Sequence, residues 1–214
     1  MSRYTVYKQR VVDACRQLAD QGYLAGTGGN IALRIDQAHF AVTPSAKDYY
    51  ALQADDICVL QLDTLTQVEG ALKASVESGL HACLLRTKPL MMASVHTHQP
   101  RASAVALLNV DLPLREAAHQ QALGDRVAIV PYAPSGTGLL VRALRKRIAT
   151  DLHAYLLRNH GVICVAPSMA DAMTGVGYIE AAATRFLHEH AHRAAALPPD
   201  LRTLIEAELA PTAP

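Results

Sequence analysis

Two histidines separated by one residue, His96 and His98, are the side chains whose types and spacing most directly suggest chemistry. They end an apolar run, residues 91–95, that is typical of a buried strand. Because successive side chains of a strand point to opposite faces, a spacing of two places both imidazoles on one face. Two neighbouring nitrogen donors could begin a metal site, although two unrelated polar residues would give the same pattern.

A catalytic zinc site needs about three protein ligands and an open position, so a third donor must come from elsewhere in the chain. His160 is the candidate, since it lies in Asn159-His160-Gly161 between two β-rich segments. We expect Gly161 to let the backbone turn there and direct the ring towards an edge of the sheet. The other histidines have weaker patterns: His81 is expected to be a packed helix residue, and the run at 188, 190 and 192 a solvated helix end.

Two further groups have both a structural and a functional interpretation. Glu77 falls in the predicted first turn of a helix, where a negative charge favours the helix dipole, and a catalytic role for it requires a metal nearby. The glycine-rich segment 26–30 could present backbone N–H groups to an anion, or it could be an ordinary turn. It is neither a Walker motif nor a dinucleotide fingerprint, so nucleotide binding is disfavoured.

The composition bounds the class of protein. A chain of 214 residues that is 50% hydrophobic can bury an ample core as one domain. A net charge of +1 disfavours nucleic-acid and membrane-surface partners. Four widely spaced cysteines and the absence of an apolar run of membrane-spanning length indicate reduced, mostly buried thiols and a cytoplasmic protein.

Mixed strands and helices must position these residues, and their short connections predict one largely antiparallel sheet in an α+β or layered α/β domain over residues 1–193. A loose tail follows at 194–214. Helices are predicted at 4–21, from an N-cap at Ser75 to about 86, at 101–108, 139–148 and 169–191. Strands are predicted at 31–35, 40–43, 57–62, 91–96 and 127–130, with two more within 154–165.

Six short motifs follow one another in a specific order over residues 5–192. They are Gly26-Thr27-Gly28-Gly29-Asn30, Thr43-Pro44-Ser45, Lys73-Ala74-Ser75-Val76-Glu77, Val95-His96-Thr97-His98, Pro131-Tyr132-Ala133 and Asn159-His160-Gly161. Taken together, they resemble the class II aldolase/adducin family, and within it the fuculose-phosphate aldolase type.

The resemblance implies a three-layer α/β/α fold with a central, mostly antiparallel mixed sheet, assembled as a homotetramer with active sites between subunits. It implies that His96, His98 and His160 bind zinc, and that Glu77 beside the metal is the general acid/base, with a pKa raised by apolar surroundings or balanced by the cation. The implied reaction is metal-dependent aldol cleavage of a small sugar phosphate, through an enediolate that the metal stabilises. The residues implied to face the substrate phosphate are Thr27, Gly28, Gly29, Asn30, Ser45 and Ser75.

Three departures from the family pattern leave the reaction open. Ser45-Ala46 stands where the aldolases have Thr-Gly or Ser-Gly, and Ser75-Val76 stands where they have paired serines. The tyrosine that aldolases contribute across the subunit boundary is replaced by Ala117, and His119 is the candidate substitute, ahead of Tyr132. Dehydration, decarboxylation and epimerisation therefore stay as alternatives, as does an adducin-like binding module. Three imidazoles would also accept manganese, cobalt or iron.

Overall fold

The centre of the fold is one mixed sheet. The computed structural model describes residues 2–24, 28–193 and 203, and nine strands within them form this sheet. They are β1 (Asn30–Arg34), β2 (His39–Val42), β3 (Cys58–Gln61), β4 (Gln67–Glu69), β5 (Ala93–Thr97), β6 (Leu112–Pro113), β7 (Arg126–Val130), β8 (Ala154–Leu157) and β9 (Gly161–Ala166). Their spatial order is β4-β3-β2-β1-β5-β9-β8-β7-β6. The pair β7 and β8 is parallel and the other neighbours are antiparallel, which confirms the predicted mostly antiparallel mixed sheet.

Helices cover both faces of the sheet and complete the three layers. They are α1 (Thr5–Asp20), α2 (Ser78–Thr87), α3 (Pro100–Leu107), α4 (Ala117–Leu123), α5 (Gly138–Arg145) and α6 (Met169–Arg193). One buried cluster joins α1, α3 and α6 to one face of the sheet, and a second joins α2 and α5 to the other. Alternation along β9 shows the two faces, since Val162 and Cys164 pack in the first cluster and Ile163 and Val165 in the second.

Strand β5 organises the part of the sheet that carries the motifs. It is antiparallel to both neighbours, so its carboxyl end meets the starts of β1 and β9. In register, Asn30 faces His96 on one side and Val162 faces Thr97 on the other. Helix α2 precedes β5 through a short connection and packs on it. Because the two elements have similar lengths, about 15 Å for ten helical residues and about 17 Å for five extended ones, the start of α2 lies over the end of β5.

Most predicted elements are present, and the differences are one helix cap and three short elements. Helix α2 begins at Ser78 with Glu77 as its N-cap residue, so the predicted N-cap at Ser75 is wrong. The hydroxyl of Ser75 still accepts the backbone N–H of Glu77, which explains the sequence signal. Helix α4 and the short strands β4 and β6 were not predicted, because seven, three and two residues are too few to establish a period.

The four cysteines are buried and free, as predicted. Among the described helices, none is long and apolar enough to span a membrane. The tail predicted at 194–214 lies outside the described residues except for residue 203, and its boundary stays a prediction.

Candidate metal centre and active site

Three imidazole rings converge at the carboxyl end of β5. The Nε2 atom of His96 lies 3.1 Å from Nε2 of His98 and 3.3 Å from Nε2 of His160. The ring centroids are 4.7 to 5.0 Å apart, and the rings meet edge to face. His96 is fully buried, whereas the other two rings are partly exposed. The cluster therefore has one side open to solvent and to a small molecule.

The protonation of these rings indicates what the cluster can hold. Nδ1 of His96 donates to the carbonyl of Val162 over 2.8 Å, so its Nε2 presents a lone pair to the other two rings. Burial lowers the pKa of His96 to about 3, and burial together with the neighbouring His160 lowers the pKa of His98. The rings of His96 and His98 are therefore neutral at neutral pH, and the site between the facing nitrogens favours a metal cation over a proton. A divalent cation fits this donor set, since three neutral imidazoles suit zinc and similar metals.

Glu77 lies against the same cluster. Its Oε2 is 3.4 Å from Nε2 of His96, and its Oε1 is 3.5 Å from Nε2 of His160. Each oxygen also accepts one hydrogen bond: Oε2 from the side-chain amide of Asn30 at 2.8 Å, and Oε1 from the hydroxyl of Ser135 at 2.7 Å. The carboxylate is thus held in one place beside the three rings.

The pKa of Glu77 is lowered, and the expectation of a raised pKa is wrong for the chain without a cation. Burial by itself would raise it, but the hydrogen bonds from Asn30 and Ser135 favour the ionised form and keep the pKa below its usual range. Glu77 is therefore ionised at neutral pH. An ionised carboxylate is in the protonation state that a general base requires.

The described part of the glycine-rich segment packs directly on the cluster. The backbone of Gly29 has a φ of +91°, and a Cβ there would lie 2.8 Å from the carbonyl oxygen of His96. The hydroxyl of Tyr49 donates to the carbonyl of Gly29 at 2.6 Å and lies 3.2 Å from that of Gly28. These glycines are consequently held beside the metal-ligand candidates. Thr27 lies outside the described residues.

The two predicted serines lie on neighbouring backbone segments next to Glu77. A bridge between Pro44 and Ala74 joins the segments, and Ser45 donates its hydroxyl to the carbonyl of Ala74. Ala46, which stands where the family pattern has glycine, has a φ of +54°, a left-handed conformation that glycine adopts more readily than alanine.

Neither candidate for the second acid is part of this cluster within one chain. The ring of His119 stacks on Tyr178 with centroids 4.3 Å apart, and its Nδ1 lies 3.0 Å from Oε2 of Glu116. Tyr132 is 58% exposed in the loop before α5. Either residue could act as the second acid only at the site of another subunit. That role stays a prediction.

Asn159 and Gly161 have different roles from those expected. The turn before β9 is made by Asn159, whose φ is +56°, while the φ of Gly161 is not positive. Gly161 is required for close approach instead, because a Cβ there would overlap the carbonyl oxygen of Thr97 and lie 2.8 Å from Cδ2 of His98. The expectation that this glycine provides the turn is wrong, and its close contact helps to bring His160 to the cluster.

Gly161→Ala should therefore destabilise the protein by about 2–3 kcal/mol, in the upper part of the range for overpacking. Thermal and urea unfolding measure the change. Gly177→Ala is the matched control, since nothing lies within 4 Å of a Cβ at that helical position and alanine should stabilise by up to about 1 kcal/mol. Equal stabilities of the two variants would contradict the close-approach explanation.

Ser135 and His81 are the contacts that the sequence did not assign to the site. Ser135 is an exposed serine in an irregular loop, and the only signal near it was the motif that begins at Pro131. His81 is a packed helix histidine, as predicted. Its Nδ1 lies 2.7 Å from the hydroxyl of Ser94 and its Nε2 lies 2.6 Å from Oδ1 of Asn30.

Burial lowers the pKa of His81 to about 4, which makes stability depend on pH. Below about pH 6.5 the unfolded chain takes up a proton on this histidine that the folded chain does not bind. The free energy of unfolding therefore falls as the pH decreases from 6.5 towards 4. The loss amounts to roughly 3 kcal/mol for a shift of this size. Urea unfolding between pH 7 and 4 should show a shallower decline for His81→Gln than for the wild type. Parallel declines would contradict the assignment. Glu77 does not interfere, because the stability that its ionised form contributes is lost only below pH 4.5.

Comparisons with known proteins give matches to one family. The sequence model of a family described as "Class II Aldolase and Adducin N-terminal domain" matches residues 9–187. The chain is 33% identical over 174 residues to a 5-deoxy-D-ribulose 1-phosphate aldolase from Bacillus thuringiensis serovar kurstaki, with 81% of this chain and 80% of the relative covered. It is 31% identical over 173 residues to a methylthioribulose-1-phosphate dehydratase from Pectobacterium carotovorum, with 74% and 82% covered. A solved L-fuculose 1-phosphate aldolase superposes with a TM-score of 0.82 at 26% identity, over 97% of each chain.

Proposed function

Because the chain belongs to the class II aldolase and adducin family, we propose that it is a metal-dependent lyase that cleaves a carbon–carbon bond in a small phosphorylated sugar. The observation that carries the proposal is the convergence of three imidazole nitrogens with an ionised carboxylate 3.4 to 3.5 Å away. A binding module has no use for such a cluster. The adducin-like alternative is therefore disfavoured.

His96, His98 and His160 would hold the metal, and zinc is the first choice. A divalent cation bound there supplies a Lewis acid that polarises a substrate carbonyl and stabilises the negative charge that develops on its oxygen during cleavage. Zinc prefers nitrogen donors in a three-ligand catalytic site, although manganese, cobalt and iron are also accepted by imidazoles. Metal analysis of the purified protein decides among them.

The chain's own residues handle the substrate and its proton. Glu77 is ionised and accepts the proton from the substrate hydroxyl or carbon that changes, and later returns it. Asn30 and Ser135 hold its two oxygens during this transfer. The phosphate would lie against the backbone and hydroxyl groups that pack beside Glu77, namely those of Thr27, Gly28, Gly29, Asn30, Ser45 and Ser75.

The second acid would come from a neighbouring subunit. The proposed assembly is a cytoplasmic homotetramer with active sites between subunits, in which His119 or Tyr132 replaces the tyrosine of the aldolases. The exposed position of Tyr132 suits such a contact better than that of His119, whose ring is stacked within its own chain. Sedimentation of the active enzyme as a monomer would contradict a shared site.

Dehydration is the second candidate, because a methylthioribulose-1-phosphate dehydratase aligns with 74% of the chain at 31% identity. It needs the same stabilisation of negative charge next to a carbonyl, but the base removes a C–H proton and a hydroxyl group leaves as water, whereas cleavage removes a hydroxyl proton and releases an aldehyde. Decarboxylation and epimerisation of sugar-acid phosphates are further outcomes for the same centre.

Product analysis on a panel of pentulose and tetronate phosphates separates these reactions. Cleavage gives two fragments, dehydration gives one product and water, decarboxylation releases carbon dioxide, and epimerisation keeps the mass. We expect two fragments from a ketose 1-phosphate. The absence of every one of these products with zinc-loaded protein would exclude the proposed function.

A further inference from the structure

A buried chain of hydrogen bonds ends on Glu77, and we propose that His81 is a positioning residue that fixes this carboxylate through Asn30. The chain runs from the hydroxyl of Ser94 to Nδ1 of His81, from Nε2 of His81 to Oδ1 of Asn30, and from Nδ2 of Asn30 to Oε2 of Glu77. Its heavy-atom distances are 2.7, 2.6 and 2.8 Å. The inference rests on the proposed function, which assigns the proton transfer to Glu77.

The direction of every bond in the chain follows from its last member. A carboxylate only accepts, so Asn30 must present its N–H group to Glu77 and its carbonyl oxygen to His81. That oxygen also only accepts, so Nε2 of His81 must carry the ring proton. Nδ1 is then an acceptor, and the hydroxyl of Ser94 donates to it. Each group thus donates towards Glu77. Reversing the amide of Asn30 or the tautomer of His81 would place two donors or two acceptors opposite each other.

The chain connects the carboxylate to the rigid interior of the fold. Ser94 and His81 are fully buried in β5 and α2, and Asn30 is 5% exposed at the start of β1. Three elements therefore hold Oε2 of Glu77 in place. The other oxygen accepts from Ser135, which lies in an exposed loop and is independent of this chain.

This arrangement gives the side chain of Asn30 a different task from contact with the substrate phosphate, for which its backbone remains. The side-chain carbonyl oxygen is used by His81, and one of the two side-chain N–H donors is used by Glu77. A variant that disturbs the chain should consequently lower kcat and leave phosphate affinity unchanged. A variant that disturbs a phosphate contact should do the opposite.

The test compares His81→Leu, which removes both hydrogen bonds, with His81→Gln, which keeps a donor for Asn30. We expect His81→Leu to lower kcat by about 10- to 100-fold, the range for partners that orient a reactive group, and His81→Gln to retain most of the rate. The inhibition constant of inorganic phosphate and the zinc content should stay within about twofold of the wild type. His153→Leu, at a histidine whose Nδ1 bonds the carbonyl of Ala122, is the control for removing a ring and should keep the rate.

An unchanged kcat in folded His81→Leu would overturn the proposal, as would a weaker phosphate inhibition with kcat intact. If His81→Leu does not fold, Ser94→Ala takes its place, with an expected decrease in kcat of about 3- to 10-fold.

Nitrogen NMR of the wild-type protein tests the chain without any turnover. The ring of His81 should appear as the Nε2–H tautomer, and the Nδ1–H tautomer would contradict the chain. If the zinc-loaded wild type produces no product from any substrate, the proposed function fails, while the tautomer still decides whether the chain exists.

Discussion

Replacing His98 with alanine is expected to remove both bound metal and turnover. The Nε2 atom of His98 lies 3.1 Å from that of His96, and its ring is on the partly exposed side of the cluster, so the change should leave the fold intact. Two remaining imidazoles cannot form a three-ligand site. Metal affinity should therefore fall by at least roughly 100-fold, beyond the range typical of losing a partner that only orients a ligand.

Metal content by mass spectrometry and turnover on the best substrate measure this effect. His190→Ala is the control, because His190 is an exposed histidine on α6 whose Nδ1 bonds the carbonyl of Phe186. Chelation of the wild type should abolish activity and zinc should restore it. If His98→Ala keeps wild-type metal content and turnover, the proposed metal centre is excluded.

Glu77→Gln is expected to lower kcat by about 10²- to 10⁴-fold, the usual contribution of a general acid or base, while a full complement of zinc stays bound. Glutamine has the shape of glutamate and can still accept the hydrogen bond from Asn30, but it cannot take up a proton. The variant therefore separates proton transfer from metal binding. This separation is what distinguishes Glu77 from the three histidines.

Steady-state kinetics with saturating zinc, together with metal analysis, measure this second prediction. Glu189→Gln is the matched control, since that carboxylate forms an ion pair with Arg115 on the protein surface. Such an exposed pair contributes about 0–1 kcal/mol, so the control should behave as the wild type. Turnover that survives in Glu77→Gln would assign the proton transfer to another group.

The sequence determined the local part of this structure. Alternation along β5 placed His96 and His98 on one face, and the 3.6-residue period of α1 and α6 located both helices, because such periods are set by neighbours along the chain. The order of the six motifs indicated the family, and the family model confirms it. Local signals were weaker at short elements, where they omitted α4 and placed the cap of α2 at Ser75.

Only the tertiary structure decided which distant residues meet. His160 reaches His96 because β9 pairs antiparallel with β5 in one register, and a shift of one residue would turn its ring away. The contacts of Glu77 with Ser135 and with Asn30 join residues 58 and 47 positions apart, and no period along the chain encodes such distances. The ionised state of Glu77 follows from these same contacts, since the sequence alone suggested burial without its hydrogen-bond donors.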